Sequence, residues 1–247
     1  MTVHPTRRYF AVGGRGYRPR IFIYTYPEKE VVRILSDGAE RGYASLNFNL
    51  EGCKLASVST SPDFLLTVWN WQEEAISLHC KAFGQDVTMV KFSIDDDRRL
   101  TTSGTGHIRF WKMASTFTGL KLQGYIGKFG KVDLSDIAAF IELPDGKVIS
   151  GSENGALLLW EGNFIKCRFV RADPNSPRSQ QESPRYSLRT LSVLCLSFSL
   201  HSFYLFRSRY HISRGPRVER ILPHAGEVTY VAHDREENSI ISAGNNE

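Results

Sequence analysis

The chain has 247 residues, of which 41% are hydrophobic and 23% charged, and this composition excludes a disordered or collagen-like protein. The N-terminal residues hold no apolar core of signal-peptide length, and the four scattered cysteines form no CxxC pair, so we expect reduced thiols in a cytosolic compartment. The net charge of +5 comes from residues 172–217, which hold seven arginines against two acidic side chains. Because the other residues balance at 24 basic and 24 acidic side chains, we expect no nucleic-acid binding.

Four segments of the chain end in the same way, and together they define a repeat. They read PRIFIYTY, LLTVWNW, HIRFWKM and ALLLWEG. Aligning their aromatic residues Tyr24, Trp69, Trp111 and Trp160 gives spacings of 45, 42 and 49 residues. A self-similarity of this period is typical of architectures built from one repeated supersecondary unit.

Each repeat carries the same succession of short elements around its aromatic residue. An alternating apolar stretch such as VTMVKFS comes first, then a turn such as LPDGK, then a small-residue segment such as VISGS. The aromatic segment and a second alternating stretch, such as FIKCRFV, complete the unit. Alternation with a period of two, bounded by turns that contain Asp and Gly, predicts four strands in each repeat.

Four strands in about 40–45 residues, with an aromatic residue on the third, are typical of a WD-repeat β-propeller blade. Tyr24, Trp69, Trp111 and Trp160 are then expected between neighbouring blades, where the small residues let adjacent sheets approach. The stretch VISGSENGALLLW is thereby predicted to be a second strand, a turn and a third strand, and not a phosphate loop. The predicted fold class is all-β: a partial propeller of about four to five blades of four antiparallel strands.

The last part of the chain, PHAGEVTYVAHDREENSIISAG, resembles the WD-repeat pattern of a histidine, a glycine, a valine, a turn and a serine-containing second strand. By that resemblance, His224 and Ser242 hold the places that join a buried hydrogen-bond network with a turn aspartate and a tryptophan. The chain stops at Glu247, before a third strand, and it has no clear first strand before Arg7. We therefore expect an incomplete first blade and a truncated last one.

Residues 172–217 interrupt the repeat and are set apart as an inserted linker, or a disordered or anomalous segment. The first half is rich in Pro, Ser and Gln, whereas residues 191–206 hold 11 apolar residues in 16. A membrane span needs about 20 apolar residues, and this run is shorter. A divergent blade needs a small-residue strand, which this segment lacks. We therefore favour an insertion between blades, one source of which would be translated non-coding sequence. The expected domains are thus propeller blades over 1–171, this segment, and the start of a further blade over 218–247.

Enzyme and metal motifs are not found at the required spacings. GGRGYR departs from GxGxxG because Pro19 takes the place of the third glycine, so we expect a turn there. Asp95, Asp96 and Asp97 lack the ligand pattern of a calcium loop, and we expect a solvated turn. The seven histidines form no HExxH pair and no GxSxG is present, so we expect no catalytic residue, no metal and no cofactor.

Longer strings of the sequence resemble the N-terminal propeller of the cilia- and flagella-associated protein 44 family. They include SPDFLLTVWNW, TSGTGHIRFW and ELPDGKVISGSENGALLLWEG. The resemblance runs from about His4 to Arg171 and resumes more weakly from about Val218. The paralogous axonemal protein 43 is the relative with which this family is most easily confused.

The resemblance implies a large protein of the ciliary or flagellar axoneme, in the cytoplasm and cytoskeleton. That family belongs to a tether complex, which links the motor domains of an inner-arm dynein to doublet microtubules and supports cilium movement. The implied partners are an axonemal dynein heavy chain, the paralogous WD-repeat tether subunit and doublet microtubule proteins. We expect no binding to a membrane. We therefore predict a non-catalytic scaffold module.

Two alternatives to the ciliary scaffold stay open. A cytosolic WD-repeat adaptor for signalling or ubiquitin transfer would have the same fold and bind partners through the same kind of surface. A propeller hydrolase would need carboxylates at its central channel, which spacing along the chain does not reveal.

Overall fold

The computed structural model describes residues 1–169, 191–199, 202–210, 227–234 and 239–245. The described strands form five four-stranded sheets, and the predicted all-β class is confirmed. The chain divides into two compact units, Met1–Gly127 and Lys128–Glu247, and each is described by itself.

The first unit holds three sheets, in each of which neighbouring strands are consecutive in the chain and antiparallel. The first sheet consists of β1 (Thr2–Val3), β2 (Tyr9–Gly13), β3 (Ile21–Thr25) and β4 (Val31–Leu35). The second consists of β5 (Tyr43–Phe48), β6 (Leu55–Ser59), β7 (Leu65–Asn70) and β8 (Ala75–Lys81). The third consists of β9 (Val87–Phe92), β10 (Arg99–Gly104), β11 (His107–Thr116) and β12 (Gly119–Ile126).

The first sheet has a very short first strand, which the alternation of the sequence does not reveal. In β1, Thr2 pairs with Ala11 and Val3 pairs with Phe10. Two residues are too few for a period-two pattern to be recognised, so the sequence before Arg7 gives no strand signal.

Burial differs between the strands of one sheet and explains their composition. All five residues of β6 are buried, whereas most residues of the outermost strand β8 are exposed. Glycines of the second strands lie close to other parts of the chain: a Cβ on Gly104 would lie 2.0 Å from the Asp86 carbonyl oxygen. Small residues therefore occur on the second strands because larger ones would collide with the neighbouring structure.

The second unit holds two sheets. One is an antiparallel sheet in chain order, β13 (Ile137–Glu142), β14 (Val148–Ser152), β15 (Leu157–Glu161) and β16 (Phe164–Phe169). The other contains β17 (Leu191–Ser199), β18 (Ser202–Tyr210), β19 (Val228–Asp234) and β20 (Ser239–Asn245). Its spatial order is β18-β17-β20-β19, with β17 parallel to β20 and the other pairs antiparallel.

The stretch at residues 148–160 has the predicted structure of a second strand, a turn and a third strand. The turn between β14 and β15 is closed by a 3.0 Å hydrogen bond from the Gly155 N–H to the Ser152 carbonyl. Gly155 has φ +77°, a left-handed conformation that favours glycine, so the glycine forms a turn between strands. A Cβ on Gly151 of β14 would lie 2.4 Å from Val228 of β19, which explains the glycine on that strand.

The fifth sheet is built differently from the other four. In those sheets a second strand is followed in the chain by an antiparallel third strand, as β15 follows β14. In the fifth sheet β20 lies between β19 and β17. β17 precedes β20 in the chain, is parallel to it, and comes from the segment that interrupts the repeat. The segment 172–217 therefore contributes strands to a sheet at β17 and β18.

Candidate functional site

The three tryptophans of the repeat lie at equivalent positions and make the same side-chain hydrogen bond. Trp69 pairs with Leu55, Trp111 with Leu100 and Trp160 with Val148. In each case the indole Nε1 donates to the hydroxyl two residues further along the second strand, at 2.9 Å to Ser57, 2.9 Å to Thr102 and 2.8 Å to Ser150. These tryptophans, 0–3% exposed, therefore hold the second and third strands of their sheets together.

Tyr24 occupies the corresponding register but has a different environment. It pairs with Phe10, and its ring stacks on that of Phe10 with centroids 5.1 Å apart and planes at 13°. The residue two positions beyond Phe10 is Val12, which has no hydroxyl, and Tyr24 is only half-buried. The first sheet thus replaces the indole–hydroxyl pair with an aromatic stack.

The two remaining repeat positions lie in the last sheet of the chain. His224 lies outside the described residues. Ser242 lies on β20, where its backbone pairs with Val231 of β19 and Cys195 of β17, while its side chain is outside the described part. Their predicted place in a buried network therefore stays a prediction.

Trp71 and His4 form a buried contact that the repeat pattern does not predict. The Trp71 Nε1 donates to the Gly52 carbonyl at 2.7 Å, and His4 Nε2 lies 3.0 Å from the same oxygen. The two rings meet edge to face with centroids 5.7 Å apart, and Trp71 is 4% exposed. His4 thus anchors the start of the chain to the second sheet and is a structural histidine.

The acidic turn after β9 is occupied by contacts within the chain. Asp96 accepts a hydrogen bond from the Arg98 N–H at 2.9 Å and pairs with Arg99 at 3.3 Å, while Asp97 pairs with Lys54. Glu51, Cys53 and Asp97 have their ligand atoms within 4.8 Å of one another, which the sequence did not reveal. Since Lys54 already neutralises Asp97, the geometry of this group is explained by an ion pair between two turns.

Burial makes two of the three described thiols less acidic. It raises the pKa of the Cys80 thiol, against the opposing effect of the Arg109 charge, and it raises the pKa of Cys167 to about 11. Cys53, the third, is exposed, and all three are free. A thiol kept protonated at neutral pH is a poor nucleophile, so neither Cys80 nor Cys167 has the environment of a catalytic cysteine.

A cleft of about 790 Å³ lies in the first unit, lined by residues 13–17, 41–43, 60–61 and 86. GGRGYR forms part of its wall, in the turn between β2 and β3 that the sequence predicts. The cleft holds two arginines, Arg15 and Arg41, and two tyrosines, Tyr17 and Tyr43. Its lining combines cations and aromatic rings with a single carboxylate, Asp86.

No described helix is long and apolar enough to cross a membrane.

Comparison of the sequence with known proteins gives three relatives of one name. No family model matches the chain. It is 56% identical over 177 residues to Cilia- and flagella-associated protein 44 of Mus musculus, covering 72% of this chain and 10% of that protein. The protein of the same name from Chlamydomonas reinhardtii is 57% identical over 178 residues, and that from Trypanosoma brucei brucei is 46% identical over 172 residues. Each of these two alignments covers 69% of this chain and 10% of the relative.

More distant comparisons give a related sequence and a related fold. Echinoderm microtubule-associated protein-like 4 of Homo sapiens is 29% identical over 177 residues, covering 67% of this chain and 18% of that protein. The crystal structure of the Cps50 (Swd1) β-propeller domain from Myceliophteria thermophila superposes with a TM-score of 0.60 at 12% identity. That superposition covers 93% of this chain and 87% of the other, and it confirms the β-propeller fold.

The sequence resemblance and the fold agree. The chain spans about a tenth of the length of these three curated relatives. Over about 70% of its own length, the chain is thus similar to a segment of cilia- and flagella-associated protein 44, and the resemblance predicted from its repeats is confirmed.

Proposed function

We propose that this chain is a non-catalytic scaffold module of a ciliary or flagellar protein, acting in the tether complex that links inner-arm dynein motor domains to doublet microtubules. The observation that carries the proposal is the identity of 46–57% to proteins named for cilia and flagella in three organisms. Identity at this level over about 70% of the chain supports a shared location as well as a shared fold.

The architecture supports a scaffold because its sheets are fastened to one another by side chains. In the first unit, the Phe92 N–H on β9 donates to Asn47 Oδ1 on β5 at 2.8 Å, and the Arg109 guanidinium donates to the Ala82 carbonyl at 3.0 Å. These bonds join one sheet to the next and limit their relative motion. A rigid set of sheets presents its connecting loops in fixed positions, as binding by surface complementarity requires.

The proposed partners are an axonemal dynein heavy chain, the paralogous WD-repeat tether subunit and doublet microtubule proteins. The 29% identity to a protein named as microtubule-associated supports doublet microtubule proteins as partners. Among the three described cysteines, Cys80 and Cys167 have raised pKa values, and the acidic turn is ion-paired; both observations favour binding over chemistry.

Fractionation of cilia tests the proposal against the cytosolic adaptor alternative. The gene product is tagged at its native locus, cilia are isolated, and detergent extraction is followed by stepwise salt. We expect retention after detergent and release at high salt together with inner-arm dynein. A tagged cytosolic propeller protein serves as the control that leaves with detergent. Release of our protein in that same fraction would contradict the proposal and favour the adaptor.

A further inference from the structure

The cleft of the first unit is formed by two connections that are bonded to each other. The β2–β3 connection carries Arg15 and the β4–β5 connection carries Arg41. Their backbones form an antiparallel bridge between Arg15 and Gly42, and the Gly16 N–H donates to the Arg41 carbonyl at 2.8 Å. A second bond, from the Arg18 N–H to the Glu40 carbonyl at 2.9 Å, extends this contact. The backbone therefore holds the two arginines at fixed positions without using their guanidinium groups.

The two guanidinium groups have little opposing charge around them. Arg15 forms no ion pair with any residue of the described part of the chain. Arg41 faces Glu40 only at 3.9 Å, with both side chains largely exposed, which is a weak pairing. Arg18, the neighbour of Arg15 in sequence, differs because it pairs with Asp37 at 3.0 Å. Arg15 and Arg41 thus keep their hydrogen-bonding capacity for a ligand with carboxylate groups.

The rest of the cleft wall suits a peptide. Tyr17 is 82% exposed beside Arg15, and solvent-exposed tyrosine next to arginine is the composition of protein-binding hot spots. Gly14, Gly16 and Gly42 leave the backbone of the wall uncovered, and a Cβ on Gly16 would meet no atom within 4 Å. Thr60 and Ser61 add hydroxyl groups that can bond a peptide backbone.

Asp86 distinguishes a peptide from a nucleic acid at this cleft. It is the one carboxylate among the lining residues, and it pairs with neither arginine. A nucleic acid carries a phosphate at every step, so a strand passing through the cleft would bring negative charge to Asp86. A peptide can place acidic side chains on the arginines and an uncharged residue beside Asp86. The mixed charge of the cleft therefore favours a peptide with spaced acidic residues.

We propose that this cleft binds an acidic peptide segment of a partner protein, whose carboxylates bond the guanidinium groups of Arg15 and Arg41 while Tyr17 packs on the segment. This inference goes beyond the scaffold function and does not depend on a ciliary location. It is tested on the purified 247-residue chain.

Fluorescence anisotropy with a labelled peptide of alternating glutamate and glycine tests the proposal at low ionic strength. We expect saturable binding that weakens as salt is added, because the contacts are exposed charges. The double variant R15A/R41A should lose about tenfold or more in affinity, since it removes two charge-assisted contacts. The matched control is K112A/K121A, which loses the same charge at two exposed residues that do not line the cleft.

Further arms distinguish the ligand class and the role of the loop. Y17A should weaken binding with no change in net charge, and a glutamine–glycine peptide should not bind. Far-UV circular dichroism and thermal melts should be unchanged in every variant, because the substituted side chains are exposed. The proposal is overturned if the peptide shows no saturable binding, or if K112A/K121A loses as much affinity for the peptide as R15A/R41A. It is also overturned if a single-stranded oligonucleotide of the same charge binds with the same affinity as the peptide.

Discussion

The indole nitrogen of Trp69 donates a 2.9 Å hydrogen bond to the hydroxyl of Ser57, and both side chains are completely buried. The bond joins the third strand of a sheet to its second strand, at a position that recurs at Trp111 and Trp160. A buried donor without an acceptor costs the full desolvation of its polar group, so each partner depends on the other.

Removing one partner of this pair is therefore expected to destabilise the fold. We predict that Ser57→Ala and Trp69→Phe each lower the free energy of unfolding by about 1–3 kcal/mol from the unsatisfied group alone, with a further loss of packing in Trp69→Phe. The double variant should lose less than the sum of the two, because neither polar group then remains. Chemical denaturation of the four proteins measures this coupling.

Tyr24→Phe is the matched control for the indole pair. It changes the aromatic residue at the same register in the first sheet, where the ring stacks on Phe10 and is half-buried. We expect a change within about 0.5 kcal/mol. If Tyr24→Phe lowered the free energy of unfolding as much as Trp69→Phe does, the indole–hydroxyl hydrogen bond would not be what distinguishes the second sheet from the first.

Gly38 is expected to be intolerant of any side chain. A Cβ there would lie 2.2 Å from Cζ2 of Trp69, so Gly38→Ala forces a buried indole to move. Overpacking of this kind costs about 1–3 kcal/mol. Thermal unfolding should show a lowered Tm for Gly38→Ala and little change for Gly84→Ala, because Gly84 has no atom within 4 Å of its Cβ position. Equal effects at the two glycines would rule out the close approach.

Asn47 is expected to stabilise the contact between the second and third sheets. Its Oδ1 accepts the Phe92 N–H at 2.8 Å, on the edge of β9 that has no strand neighbour. Asn47→Ala should lower the free energy of unfolding by about 1–3 kcal/mol and speed hydrogen exchange at Phe92. Ser45→Ala removes a longer bond, 3.3 Å from the Val90 N–H, and should cost less. An unchanged exchange rate at Phe92 would contradict the assignment.

The raised pKa of Cys167 gives the stability a predicted dependence on alkaline pH. Burial raises this pKa to about 11, whereas a thiol in an unfolded chain has a pKa of about 8.5. Between these values the folded chain binds more protons than the unfolded chain, so stability is lost as pH rises from about 8.5 to about 11. Cys167→Ala should show a smaller loss over this window than the wild-type chain.

Cys53 is exposed and serves as the control for the burial of Cys167. In the native protein at neutral pH, iodoacetamide should label Cys53 before Cys167, as peptide mass spectrometry can measure. A faster reaction at Cys167 would contradict its burial.

The repeat made the strands of the first four sheets predictable except for the two-residue β1, whereas contacts between distant connections were not predictable. Alternation and turn glycines located segments such as β13, β14 and β15 because these signals are local. The shared contact of Trp71 and His4 with Gly52 joins residues far apart in the sequence and follows no period. The cleft likewise depends on a bridge between two irregular connections at Arg15 and Gly42. The parallel pairing of β17 with β20 has no counterpart in the other sheets from which it could be predicted.

Cross-linking of intact axonemes tests the central claim most directly. A lysine-reactive cross-linker is applied to isolated axonemes, and peptides are identified by mass spectrometry; Lys29, Lys112 and Lys121 of this chain are exposed and available. The scaffold account predicts reproducible cross-links from these lysines to an inner-arm dynein heavy chain or to doublet microtubule proteins. Recovery of the chain from axonemes with cross-links only to itself, or its absence from them, would contradict that account.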